Sequence, residues 1–149
     1  MSSKQVVVIG GGPAGHEAAT NAARFGADVI LIERDIVGGS AHLLDCVPSK
    51  SMIATGGAMS FAQRIQGMGM ANVDARIDAA LLAKRISTIE ERLESGVTRL
   101  LQSQGVRIIR GAGRLDGPNS VVASTEAGEE RLHADVVVLA TGSRPRLPD

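Results

Sequence analysis

KQVVVIGGGPAGHEAATNAARFGADVILIE, residues 4–33, decides the fold. Residues 4–10 are a continuous apolar run that ends in glycine, the pattern of a strand buried on both faces. Residues 13–26 open with Pro13, close with Gly26 and are dominated by alanine between them, which predicts a helix. Residues 27–33 read as a second buried strand. Strand, helix and strand in so short a span form a βαβ unit, and hence a parallel sheet with a right-handed crossover. At the first junction stands Gly10-Gly11-Gly12-Pro13-Ala14-Gly15, a G-x-G-x-x-G pattern. There Gly10 permits the tight turn, Gly12 lets backbone approach a pyrophosphate, and Gly15 allows close packing of helix on strand. The first helical turn, with Pro13 and Ala14, offers its N–H groups and partial positive charge to an anion. Glu33, followed by Arg34, lies at the end of the second strand, where a carboxylate can accept from a ribose hydroxyl. Strand, glycines, helix and acid in this register point to dinucleotide binding rather than to a purely structural glycine turn.

Working outward, residues 42–66 read as a helix whose interior is interrupted by Pro48 and by Gly56-Gly57. Residues 67–75 read as a loop. Residues 76–104 carry Ile86, Ile89, Leu93, Val97 and Leu100 on one helical face. Residues 106–113 read as a third strand, 121–125 and 130–134 as a hairpin, and 134–142 as another fully buried strand. The last residues, RPRLPD, have the look of a linker. The predicted class is α/β: a Rossmann-like domain over residues 1–149, with a parallel sheet, helices on both faces and a small antiparallel β-meander.

Composition narrows the function. Sixteen basic residues balance sixteen acidic ones without a cluster of either sign, so neither nucleic acid nor an anionic membrane surface is the expected partner. No apolar run approaches the ~20 residues of a membrane-spanning helix, and the N-terminus lacks the form of a signal peptide. One cysteine excludes an internal disulfide and suits the cytoplasm, the predicted location. No grouping of His, Cys and acids has metal-ligand spacing, so no metal is expected. His16 is expected on a helix surface, His42 beside the cysteine motif and His133 in the hairpin.

GGGPAG, IERD, GGSAHLLDCVPSK and LATGSRPRLP follow one another in an order that resembles the FAD domain of the flavoprotein disulfide reductases. Dihydrolipoamide dehydrogenase and glutathione reductase belong to that family. The resemblance runs from residue 4 to the end. It implies FAD as cofactor and NAD(P)H as co-substrate through a domain outside these residues. It implies further contacts to the dinucleotide from Gly39 and Ser40 at the pyrophosphate, from the Gly113 backbone at the adenine, and from the turn Thr141-Gly142-Ser143. Lys50 would lie near flavin N5. The family's later segments, a nicotinamide-binding domain, a flavin-binding return segment and a dimerising interface domain, are not in this sequence. The 149 residues are therefore expected to be an incomplete FAD domain, inactive alone, of a protein that dimerises when whole.

The family's active-site stretch reads G-G-x-C-x-x-x-x-C-x-P-x-K. Here Ala41 holds the first cysteine position and Cys46 the second, while Asp45 replaces a usual glycine. By the resemblance, the missing thiol is the one that exchanges with a disulfide substrate, and Cys46 is the one that faces the flavin. Thiol–disulfide exchange needs an attacking thiolate and a resolving partner, so reduction of lipoamide or glutathione disulfide is not expected. The same departure is similar to an NAD(P)H quinone reductase branch of the family, in which electrons pass from the flavin to a small acceptor. Cys46 and Lys50 are the candidate catalytic residues, with an inert buried thiol as the alternative for Cys46. A dihydrolipoamide dehydrogenase-like member with an altered site, a non-catalytic flavin- or nucleotide-binding module and an NAD-dependent dehydrogenase domain are the competing functions.

Overall fold

The computed structural model describes residues 3–43, 45–71, 74–143 and 146–147. Two compact units divide the chain: Met1–Gly39 with Glu94–Asp149, and Ser40–Leu93.

The first unit is built on β1 (Gln5–Ile9), α1 (Pro13–Arg24) and β2 (Asp28–Glu33), the expected βαβ. Pro13 opens α1, and the chain leaves it through Gly26 in the left-handed region, where a glycine carries no steric cost. With β3 (Arg107–Arg110) and β7 (Val136–Leu139) these strands form a parallel sheet in the order β3-β2-β1-β7. Because successive residues of a strand face opposite sides, each strand feeds two cores. Val6, Val8, Val29 and Leu31 meet Ala19 of α1 and Leu101 and Val106 on one side. Val7, Ile9, Ile30, Ile32 and Ile109 meet Val121, Ala123 and Leu132 on the other.

Those last residues belong to an antiparallel meander, β4 (Ala112–Leu115), β5 (Ser120–Thr125) and β6 (Gly128–His133). The α/β class and the meander are as the sequence predicts. Within this unit, however, the helices cover one face of the parallel sheet and the meander takes the other. The run 106–113, expected as one strand, is two. It leaves the parallel sheet at Arg110 and joins the meander at Ala112, turning at Gly111, where a Cβ would lie 2.3 Å from the carbonyl oxygen of Ser124. Nor is β7 fully buried: it is the sheet edge, with Val136 and Leu139 49% and 61% exposed.

The second unit begins with α2 (Ser40–Leu43), continues with α3 (Cys46–Arg64) and a 3₁₀ turn (Ile65–Met68), and takes the first part of α4 (Ala79–Ser103). The single helix expected over 42–66 is thus two. Pro48 falls in the first turn of α3, where its missing N–H would have had no intrahelical partner anyway. The helix runs on through exposed Gly56 and Gly57 at a cost of about 1 kcal/mol each against alanine. Asp78 starts α4: its carboxylate accepts from Leu81 N at 3.0 Å and its carbonyl from Leu82 N at 3.0 Å. Further along α4 the apolar face drifts from the expected register, so that Leu101, one turn after Val97, is fully buried while Leu93 and Leu100 are exposed. Among the described residues, no helix is long and apolar enough to cross a membrane.

Candidate functional site

At the carboxyl ends of β1, β2 and β7 the first unit gathers most of the residues singled out in the sequence. The three glycines of the fingerprint are glycine for different reasons. Gly10 has φ +104°, and a Cβ there would lie 2.3 Å from the carbonyl oxygen of Ala140, the residue that follows β7. At Gly15 a Cβ would lie 1.8 Å from the carbonyl oxygen of Gly10. Both are demanded by the protein's own packing. Gly12 is not: its φ is −68°, and the nearest atom to a Cβ would be Gly39 Cα at 3.9 Å. What a side chain at residue 12 would fill is open space before the first turn of α1.

That turn carries neither a side-chain cap nor an acidic residue, so its free N–H groups and the positive end of the helix face this space unneutralised. A phosphate group suits it. The far wall is the chain after β2. Gly38 N donates to the Gly11 carbonyl at 2.8 Å, and a Cβ on Gly39, whose φ is +63°, would lie 2.7 Å from Gly12 Cα. Gly10, Gly12, Pro13, Ala14, Gly15 and Gly39, the residues expected to cradle a dinucleotide, therefore lie together in one place. Residues at the carboxyl ends of parallel strands are where such ligands bind in open α/β sheets.

Glu33 is buried, 8% exposed. Its Oε2 accepts from Gly11 N at 2.6 Å and its Oε1 from Asp35 N at 2.7 Å. Each carboxylate oxygen retains a second acceptor position. Its first task is internal: it ties the glycine loop to the end of β2. Arg34 points out and pairs with Asp35 at 3.0 Å. Gly113 pairs with Ala123, and a Cβ there would lie 2.9 Å from Ile9 Cγ2, so close seating of the meander on the parallel sheet explains this glycine without a ligand. Thr141, Gly142 and Ser143 form an exposed stretch that leaves the sheet beside Gly10, with Ala140 N bonded to the Ile9 carbonyl at 2.8 Å.

The remaining candidates lie in the second unit. Ser40 opens α2 and is exposed, and its carbonyl accepts from Asp45 N at 2.9 Å. Cys46 is the first residue of α3, a free and exposed thiol rather than the buried one of the inert alternative. Lys50 is exposed one turn later, on the same helical face. His42 Nδ1 is buried without a partner. His16, expected at the helix surface, is half-buried with Nε2 out of solvent, because it borders the face of α1 that buries Gly15 and Ala19. A groove in this unit, lined by Thr55, Met59, Ile77, Leu82 and Arg85 among others, includes none of the expected site residues. Among the described residues, no group of His, Cys, Asp and Glu is arranged to hold a metal ion.

A family model described as pyridine nucleotide-disulphide oxidoreductase matches residues 4–149. The chain belongs to the pyridine nucleotide-disulphide oxidoreductase family. Among its relatives in that family is a dihydrolipoyl dehydrogenase of Zymomonas mobilis, 34% identical over 95% of this chain and 30% of that protein. Another is an NAD(P)H dehydrogenase (quinone) of Mycobacterium tuberculosis, 36% identical over 96% of this chain and 31% of that protein. The crystal structure of LpdA from Mycobacterium tuberculosis superposes with a TM-score of 0.86 at 33% identity, covering 97% of this chain and 33% of LpdA. The chain thus spans about a third of the length of these family members.

Proposed function

We propose that these residues are the FAD-binding part of an NAD(P)H-dependent oxidoreductase that delivers electrons to a quinone or similar small acceptor without a redox disulfide. One observation carries this: within the family's two-cysteine motif, Ala41 stands in the first position and Cys46 is the chain's single cysteine. The quinone-reductase name of a 36% identical relative supports it, and the dihydrolipoyl dehydrogenase name of others supports the altered-site alternative.

Gly12, Ala14, Gly15 and Gly39 would hold the pyrophosphate, Glu33 and Arg34 the ribose end, and Ser40, Gly113 and Thr141-Gly142-Ser143 the remaining dinucleotide contacts. Bound FAD would supply acceptance of hydride from the pyridine nucleotide and release of electrons to the acceptor. Lys50 would place a cation beside the ring, and Cys46 a polarisable neighbour that takes no covalent part. The whole protein would act as a homodimer in the cytoplasm.

The test is steady-state quinone reduction by NADH or NADPH, on the intact protein, for wild type and Cys46→Ser. A fall of less than about tenfold is expected, whereas loss of an essential nucleophile costs roughly four orders of magnitude or more. Abolished turnover in a variant that still holds FAD, or turnover of lipoamide by wild type, would refute direct electron delivery.

A further inference from the structure

The segment between β2 and α2 forms one wall of the cradle through Gly38 and Gly39, yet neither of those residues holds the segment from behind. Two residues distant in sequence do. Arg110, the last residue of β3 and the register partner of Glu33, donates Nη1 to the Asp35 carbonyl at 3.1 Å. Its Nη2 donates to Glu94 Oε1 of α4 at 2.5 Å. The same Glu94 oxygen accepts from Val37 N at 3.4 Å. Val37 itself is fully buried in the core beside Leu101. One carboxylate and one guanidinium therefore fasten residues 35 and 37, while Gly38 N and Gly39 Cα on the other side meet Gly11 and Gly12.

We infer that Glu94 and Arg110 are positioning residues for cofactor binding: as a pair they set the Asp35–Gly39 segment against the glycine loop before a dinucleotide arrives. The inference rests on the proposed FAD site and adds to it two residues that touch no ligand. An exposed ion pair alone is worth little. Here the Glu94 oxygen is shared between a side chain and a backbone N–H, on a side chain only 26% exposed, so removing it releases two anchors of one segment together. A segment ordered in advance spares the ligand that ordering cost on binding.

The experiment pairs amide hydrogen exchange with FAD fluorescence titration on wild type, Glu94→Ala and Glu94→Gln. In Glu94→Ala, the Gly38 amide should exchange about tenfold faster, with core amides of Val8 and Leu31 nearly unchanged. FAD binding should weaken about fivefold. Glu94→Gln, which keeps an accepting oxygen, should recover much of both. Unchanged exchange at Gly38, or equal acceleration at every core amide, overturns the inference, the second outcome marking Glu94 as merely structural. Selective loosening of Gly38 without weaker FAD binding overturns it as well. If wild type fails to bind FAD at all, the proposed function falls, and Gly38 exchange still judges whether Glu94 positions the segment.

Discussion

Replacing Gly12 by valine separates a ligand-driven glycine from a fold-driven one. A Cβ at residue 12 meets nothing nearer than Gly39 Cα at 3.9 Å, and φ of −68° is open to any residue. The folded chain has room for the substitution. Its cost should be about 1 kcal/mol, that of an aliphatic residue at an N-cap, or roughly 3 °C in Tm for a chain of this size. Ligand binding should respond differently. On the proposed function, the side chain would occupy the space through which a pyrophosphate would reach the first N–H groups of α1. Losing two charge-assisted hydrogen bonds at about 1.5–3 kcal/mol each weakens FAD by roughly a hundredfold or more. Gly15→Ala is the control of opposite kind: its Cβ would lie 1.8 Å from the Gly10 carbonyl oxygen, an overlap that should cost roughly 3 kcal/mol of stability. Thermal melts by circular dichroism and FAD titration by fluorescence read the two effects apart. Gly12→Val that binds FAD within about threefold of wild type, or that unfolds as readily as Gly15→Ala, would refute the assignment of that space to the cofactor.

Two further outcomes are expected. Asp135 accepts a hydrogen bond from Gln5 N at 2.8 Å, and that bond, with Lys4 and His133 nearby, holds its pKa below the ordinary aspartate value. A depressed carboxylate stabilises the fold above its unfolded pKa and loses that contribution as pH falls through the folded one. The gap in urea midpoint between wild type and Asp135→Asn should hold above about pH 5 and close below about pH 4; a gap that widens on acidification would contradict this. The exposed apolar edge of β7 should make the 149-residue chain self-associate, and Leu139→Lys should suppress association in sedimentation velocity. Equal association of both proteins would clear that edge of responsibility.

Local pattern was enough for the βαβ unit, because a two-face-buried strand, a proline-opened alanine helix and a second apolar strand each declare themselves within a few residues of chain. The motif around Cys46 was legible for the same reason: which thiol is present and which absent is a property of the string itself. The exposure of β7 was not legible, since an apolar run reads alike at the centre of a sheet and at its edge, and only strand order distinguishes them. The break at Gly111 likewise depends on a second sheet arriving 2.3 Å from where a Cβ would stand. Glu94 and Arg110 lie 57 and 75 residues from the backbone groups they hold, and nothing in either residue's neighbourhood announces it. The sequence by itself determined the βαβ unit, the glycine fingerprint and the single thiol, because these rest on short-range sterics and composition. Tertiary structure alone decided which atoms make Gly10 and Gly15 obligatory, the carbonyls of Ala140 and Gly10, and what fastens the wall opposite. Those depend on which distant backbone comes within a few ångströms.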